Sequence, residues 1–212
     1  VPSDSELKTL ADHIDYTAVK LSDNGVRIPD GVMLDLGAVA KGYAADRSIE
    51  LLNNSKAQAA VLNLGGTIGL FGKKPDGSRF KVGIADPENP AGYFGYLSCD
   101  SGVVATSGGY ERYFERDGKR YIHILDPATA KPVDNHIASV TIVTDNGAKA
   151  DAMSTALFVM GLDKATEYYR THDGFDCVIL TDDGSLYISE GIYDDFTLDS
   201  GHRYTVNRIN KS

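Results

Sequence analysis

Strict alternation of apolar and polar positions over Phe80–Ala85 predicts a half-buried β-strand. Short apolar runs bounded by turn residues predict more strands: Val19–Leu21, Val26–Ile28, a stretch from Val32, Ala59–Leu64, Ile68–Gly72, Tyr93–Leu97 and Val103–Thr106. Tyr121–Leu125, Ser139–Thr144, Cys177–Thr181 and Leu186–Ser189 extend the series. Ser22-Asp23-Asn24-Gly25 and Asp182-Asp183-Gly184 are turn sequences that close hairpins, Pro75-Asp76-Gly77 and Asp117-Gly118 read as turns, and Asp86–Pro90 reads as a loop. Helical spacing is rarer. Leu7, Leu10, Ala11 and Ile14 mark a short first helix with Asp4 or Ser5 as its cap. A second helix follows the Gly37 turn and runs to about Asn53, and a fourth covers 163–171. The third, Asp151 to Met160 with a stop at Gly161, is apolar almost all round and therefore reads as buried. Beyond Tyr193 the tail reads as an edge strand or as partly disordered. Strands outnumber helices and most joins are hairpins, so the class is α+β: a largely antiparallel sheet or sheets with a few packed helices, in one domain over 1–212 with a peripheral tail from 194.

Composition narrows the function. Of 212 residues 42% are hydrophobic and 24% charged, ordinary for a globular protein. The net charge of −9 argues against nucleic acid or an anionic membrane as a partner, while leaving room for a phosphate-bearing ligand that needs only local donors. No apolar run reaches ~18 residues, so no transmembrane span is expected. Cys99 and Cys177 lack metal-type spacing, and the sequence leaves open whether they pair. The chain begins at Val1 rather than Met, which reads as a processed or trimmed chain and leaves room for a removed export signal.

Three places carry candidate chemistry. On the third helix Asp151 and Thr155 lie one turn apart and share a face, beside Ser154. A carboxylate against a buried helix needs a partner. Carboxylate, hydroxyl and water are the set that magnesium prefers, especially with a substrate phosphate. The alternative is that Asp151 caps the helix and Thr155 bonds back to a carbonyl. Gly37 and Gly42 let backbone approach a ligand, and the helix start with Lys41 could meet an anion; a plain strand-to-helix connection is the competing reading. Thr106-Ser-Gly-Gly could line a phosphate site, or begin a surface hairpin with an aromatic edge. His123, in its alternating strand, is either a hydrogen-bonded structural residue or a catalyst.

Four stretches together resemble the flavin transferases of the ApbE type (FAD:protein FMN transferase). They are Asp35-Leu-Gly-Ala-Val-Ala-Lys-Gly-Tyr-Ala-Ala-Asp-Arg47; Asn63-Leu-Gly-Gly66; Thr106-Ser-Gly-Gly-Tyr-Glu-Arg-Tyr-Phe114 with His123-Ile-Leu-Asp-Pro127; and Asp151-Ala-Met-Ser-Thr155 through Gly161. Their order and spacing carry the likeness, from about residue 5 to about 190. Ala130 stands where a glycine is usual.

The resemblance implies cleavage of the FAD pyrophosphate with Mg2+, transfer of FMN to a Ser or Thr hydroxyl of an acceptor flavoprotein, and release of AMP. It implies that Asp151 and Thr155 hold the metal with the backbone carbonyl of Ala38. Lys41, Glu111, Gly65, Gly66, Thr106, Ser107 and Asp35 would surround the flavin nucleotide, with His123 as the general base. The implied acceptor is a flavoprotein subunit of a membrane redox complex. The implied location is periplasmic or at the cell surface, as a lipoprotein, with the cytoplasm as the other setting. The same resemblance makes this chain roughly the C-terminal two-thirds of the family's usual length. Two other functions fit these residues: an FAD pyrophosphatase giving FMN and AMP, and a non-catalytic flavin-binding module or truncated domain.

Overall fold

In a computed structural model, which describes residues 1–89 and 91–212, the first ordered element is α1 (Asp4–Ala11). Its cap is Ser3 rather than Asp4 or Ser5. The Ser3 hydroxyl accepts from Glu6 N–H, and the Glu6 carboxylate accepts from Ser3 N–H at 2.7 Å. A hairpin follows, β1 (Lys20–Ser22) with β2 (Gly25–Arg27), closed by Asp23-Asn24. The strand expected from Val32 does not form: residues 32–36 are irregular, lie mostly exposed and pair with no strand among the described residues. Helix α2 spans Ala40–Asn53.

The strands β3 (Ala59–Asn63), β4 (Thr67–Gly72), β5 (Phe80–Ala85), β6 (Tyr93–Cys99) and β7 (Gly102–Gly108) come next. The loop expected over Asp86–Pro90 is a loop through Asn89, and Pro90 lies outside the described residues. Two small ribbons follow: β8 (Tyr113–Arg116) with β9 (Lys119–Ile122), and β10 (Leu125–Asp126) with β11 (Lys131–Pro132). His123 lies in the bend between these ribbons and not inside a strand. The chain then forms β12 (Ile137–Thr144), α3 (Gly147–Met160), α4 (Leu162–Thr171), β13 (Asp176–Thr181), β14 (Ser185–Ser189), β15 (Phe196–Leu198) and β16 (Thr205–Ile209).

Seven strands make the main sheet in the order β16-β14-β13-β12-β7-β4-β3, antiparallel throughout except for the β14–β16 pair. Three more, β15-β6-β5, form a second sheet. Side chains that alternate along the central strands serve two cores. Val103, Ala105, Val140, Ile142, Cys177 and Ile179 join Ala45, Ala150, Leu157 and Phe158 under the helices. Val104, Val178 and Leu180 join Phe80, Val82, Phe94 and Leu97 under the second sheet. A sheet covered on both faces needs apolar residues at successive positions, which is why these strands read as runs rather than alternations. The architecture is therefore helices, seven-stranded sheet, three-stranded sheet, in agreement with the α+β reading. Both cysteines are buried and free, and burial pushes the thiols up, Cys99 to about 11 and Cys177 to about 12.

Candidate functional site

The site is built where α2 crosses α3. On α2, Gly42, Ala45, Asp46 and Ile49 share one face. Gly42 meets Gly147 backbone to backbone: a Cβ on Gly42 would stand 1.9 Å from the Gly147 carbonyl oxygen, and one on Gly147 2.3 Å from that of Gly42. The close approach expected at Gly42 is thus to another helix. It brings the first turns of both helices within reach of each other's acids.

Those acids are exchanged. Asp46 of α2 accepts from the first two amides of α3, Gly147 N–H at 2.6 Å and Ala148 N–H at 3.0 Å. Asp151 of α3 accepts from Gly42 N–H of α2 at 2.9 Å. The N-cap of α3 is Asn146, whose side chain accepts from Lys149 N–H. Asp151 therefore does not cap its own helix; it caps the neighbouring one, whose N-cap Val39 offers no side-chain acceptor. Nor is α3 enclosed on all sides: Ala156 and Met160 are exposed on its outer face.

Asp151 is 5% exposed. Its second oxygen accepts from the hydroxyl of the fully buried Thr67 at 3.0 Å, and among the described residues no ion pair joins it. One turn along, the Thr155 and Ser154 hydroxyls lie 3.0 and 2.8 Å from the Ser107 hydroxyl. Because Gly42 N–H is taken by Asp151, the Ala38 carbonyl, four residues before Gly42, accepts no backbone N–H among the described residues. Carboxylate, hydroxyls and an orphaned carbonyl are an all-oxygen donor set, suited to a hard cation. Among the described residues no cluster of three His, Cys, Asp or Glu side chains offers another kind of metal site.

Beside this lies a charged group. Gly66 has φ +83°, and a Cβ there would stand 2.9 Å from a Glu111 carboxylate oxygen, so the glycine gives Glu111 its place. Gly65 also has positive φ, and the Gly66 carbonyl accepts from Thr106 N–H at 2.9 Å. Glu111 keeps exposed surface, yet crowding desolvates it and raises its carboxyl above the ordinary value; Lys41, His123 and Arg112 oppose that rise, and Asp151 adds to it. These five side chains thus occupy one electrostatic neighbourhood. His123 Nδ1 lies 3.0 Å from the Arg112 carbonyl, which also accepts from His123 N–H at 3.1 Å. A carbonyl only accepts, so in the neutral ring the proton sits on Nδ1 and Nε2 is left as a base.

Two expected residues stand apart. The Thr106 hydroxyl pairs with Thr141 at 2.9 Å, on the opposite face of β7 from Ser107. Asp35 is exposed, and its carboxylate accepts from Gly37 N–H at 2.7 Å within the turn before α2. Thr67 and Asp46 were invisible to sequence reasoning as contributors. The only hints are that Thr67 follows Gly65-Gly66 and that Asp46 stands four residues after Gly42 on the same helix face.

The sequence model of the ApbE family matches residues 1–179. Relatives named FAD:protein FMN transferase include that of Klebsiella pneumoniae, 37% identical over 175 residues, covering 82% of this chain and 54% of the relative. That of Rhodobacter capsulatus is 40% identical over 184 residues, covering 85% and 34%. Among solved structures, the ApbE protein of Thermotoga maritima superposes with TM-score 0.83 at 37% identity, covering 90% of this chain and 63% of that one. The flavinyl transferase ApbE of Pseudomonas stutzeri gives TM-score 0.72 at 31% identity, covering 85% and 56%. The chain thus spans about half the length of the curated relatives it matches, or less. Family match, sequence relatives and fold agree, and the chain belongs to the ApbE family.

Proposed function

We propose that this chain carries the site for transfer of FMN from FAD to a Ser or Thr hydroxyl of an acceptor protein, with release of AMP. The observation that supports it most is the buried Asp151 carboxylate, held by two neutral donors with no cationic partner among the described residues, with Thr155 one turn along the same helix and the Ala38 carbonyl left without a backbone donor. These three would hold Mg2+, which when bound neutralises charge on a pyrophosphate. Lys41 adds a fixed positive charge at the start of α2, where a phosphate also meets the helix dipole. Glu111, crowded and seated over Gly66, orients the nucleotide.

In the transfer, the acceptor oxygen bonds to the FMN phosphorus as the pyrophosphate P–O bond breaks. AMP leaves with that electron pair. His123 Nε2 takes the hydroxyl proton, and its Nδ1–H stays on the Arg112 carbonyl. The acceptor class we infer is a flavoprotein subunit of a membrane redox complex, met outside the cytoplasmic membrane by a periplasmic or lipid-anchored parent. Among the described residues no helix is long and apolar enough to cross a membrane.

The test is AMP release from FAD and Mg2+, with and without an acceptor protein. Release that needs the acceptor is expected. Release without it would make the chain a pyrophosphatase, and FAD binding without turnover a flavin-binding module. His123→Ala is expected to keep FAD binding and lose transfer by about 10²–10⁴-fold. An unchanged rate would remove His123 as the base.

A further inference from the structure

We infer that Thr67 is a positioning residue for Asp151, fixing the direction in which its carboxylate faces a metal ion; this rests on the reading of Asp151 as a metal ligand given above. Thr67 opens β4, is 0% exposed, and pairs with Ala105 in the register between β4 and β7, so its side chain points to the helix side of the sheet. Its hydroxyl makes one hydrogen bond among the described residues, to Asp151 Oδ1 at 3.0 Å. An ionised carboxylate only accepts, so the hydroxyl must donate.

The hold is stiff at both ends. Threonine is β-branched, which restricts χ1 and hence the hydroxyl direction. Its backbone is pinned where the Gly65-Gly66 turn enters the sheet: the Thr67 carbonyl accepts from Leu64 N–H at 2.9 Å, and the Gly66 carbonyl from Thr106 N–H at 2.9 Å. On the other side, the Gly42 amide that fixes Oδ2 belongs to a helix tied to α3 through Asp46. Asp151 is therefore oriented by two elements far from it in sequence, 84 residues for Thr67 and 109 for Gly42. Outer hydrogen bonds of this kind orient metal-binding carboxylates and tune affinity.

The prediction concerns metal affinity, not fold. Mn2+ takes the same oxygen ligands as Mg2+ and is read by the loss of its free EPR signal. The intact 212-residue chain is titrated with MnCl2 alone, as wild type, Thr67→Val, Thr67→Ser and Asp151→Asn, each checked for folding by circular dichroism. Asp151→Asn is expected to abolish binding. Thr67→Val, close in shape but without the donor, is expected to weaken it about 10- to 100-fold, the range for lost outer partners. Thr67→Ser restores the donor and should return affinity to within about threefold of wild type. Wild-type affinity in Thr67→Val overturns the inference, and so does Thr67→Ser as weak as Thr67→Val. If wild type binds no Mn2+, or Asp151→Asn binds as tightly as wild type, the metal reading of Asp151 fails, and the role of Thr67 fails with it.

Discussion

Residues 1–39 and the segment from β12 through β14 obey different physics. The first contains a capped helix, a hairpin and a further side-chain cap from Asp15 to Thr17, yet none of its residues is buried. Tyr16, Leu21 and Met33 are 88%, 79% and 90% exposed. In the second, Val140, Ile142, Leu157, Ile179 and Leu186 have no exposed surface at all. Local hydrogen bonds are enough to give the first region recognisable elements. Only burial gives the second its rigidity, and short elements without tertiary packing are marginal in water. The proposed metal site stands on the second region and on the main-sheet strands beside it. Asp151 and Thr155 ride on α3, Ser107 on β7 and Thr67 on β4; only Ala38 comes from the open one.

The contrast can be broken most directly by truncating one apolar side chain in each region. Leu157→Ala is expected to cost about 2–5 kcal/mol by opening a cavity between α3 and the sheet. Met33→Ala should stay within about 0.5 kcal/mol of wild type. Urea unfolding of both variants checks this, and equal losses would abolish the distinction. A smaller but still large effect is expected at the helix crossing. Gly42→Ala places a Cβ on the Gly147 carbonyl, which is backbone and cannot rotate away. Overpacking of this kind costs about 1–3 kcal/mol, read as a lower thermal midpoint.

The smallest effect falls on Glu111, an exposed residue outside both regions. The Glu111 carboxyl is raised by desolvation, so its contribution to stability is fully present below the unfolded carboxylate value and is lost as pH rises through the folded one. At neutral pH the ionised group is therefore a burden, partly relieved by Lys41, His123 and Arg112 and screened because it is exposed. Glu111→Gln should raise stability at pH 7 by no more than about 0.5 kcal/mol, with no gain near pH 4. Thermal melts at the two pH values measure it. A gain confined to neutral pH would mark Glu111 as a residue kept for its site rather than for the fold.

Much of the fold was legible because its signals are local. The runs at Ser139–Thr144 and Cys177–Thr181, the alternation at Phe80–Ala85 and the glycine stop at Gly161 each report their own element. Reading failed where the deciding partner is distant. Val32 to Leu36 has the pattern of a strand, but a strand needs a pairing partner and it has none among the described residues. Asp151 looked like a choice between cap and metal ligand on its own helix; in the fold it caps α2, a choice no local window contains. Thr67 carries no pattern of its own and gains meaning only once β4 is laid under α3. The alternation of Tyr121 to Leu125 predicts a strand through His123, whereas the chain bends there and anchors the ring on Arg112.

The exchange of carboxylates between α2 and α3 also sets an order of assembly. Asp46 and Gly147 are 101 residues apart, and neither helix has its first amides fully satisfied until the other has docked. A nascent chain leaving the ribosome carries the Asp46 carboxylate without its partners until Gly147 and Ala148 have been made. The oxygens proposed to hold the metal can meet only after α3 has been made, just as the sheet between β7 and β13 can close only once β12 is in place. A half-made polypeptide would therefore lack the proposed metal site, and affinity for a metal would become a sign that synthesis has passed α3.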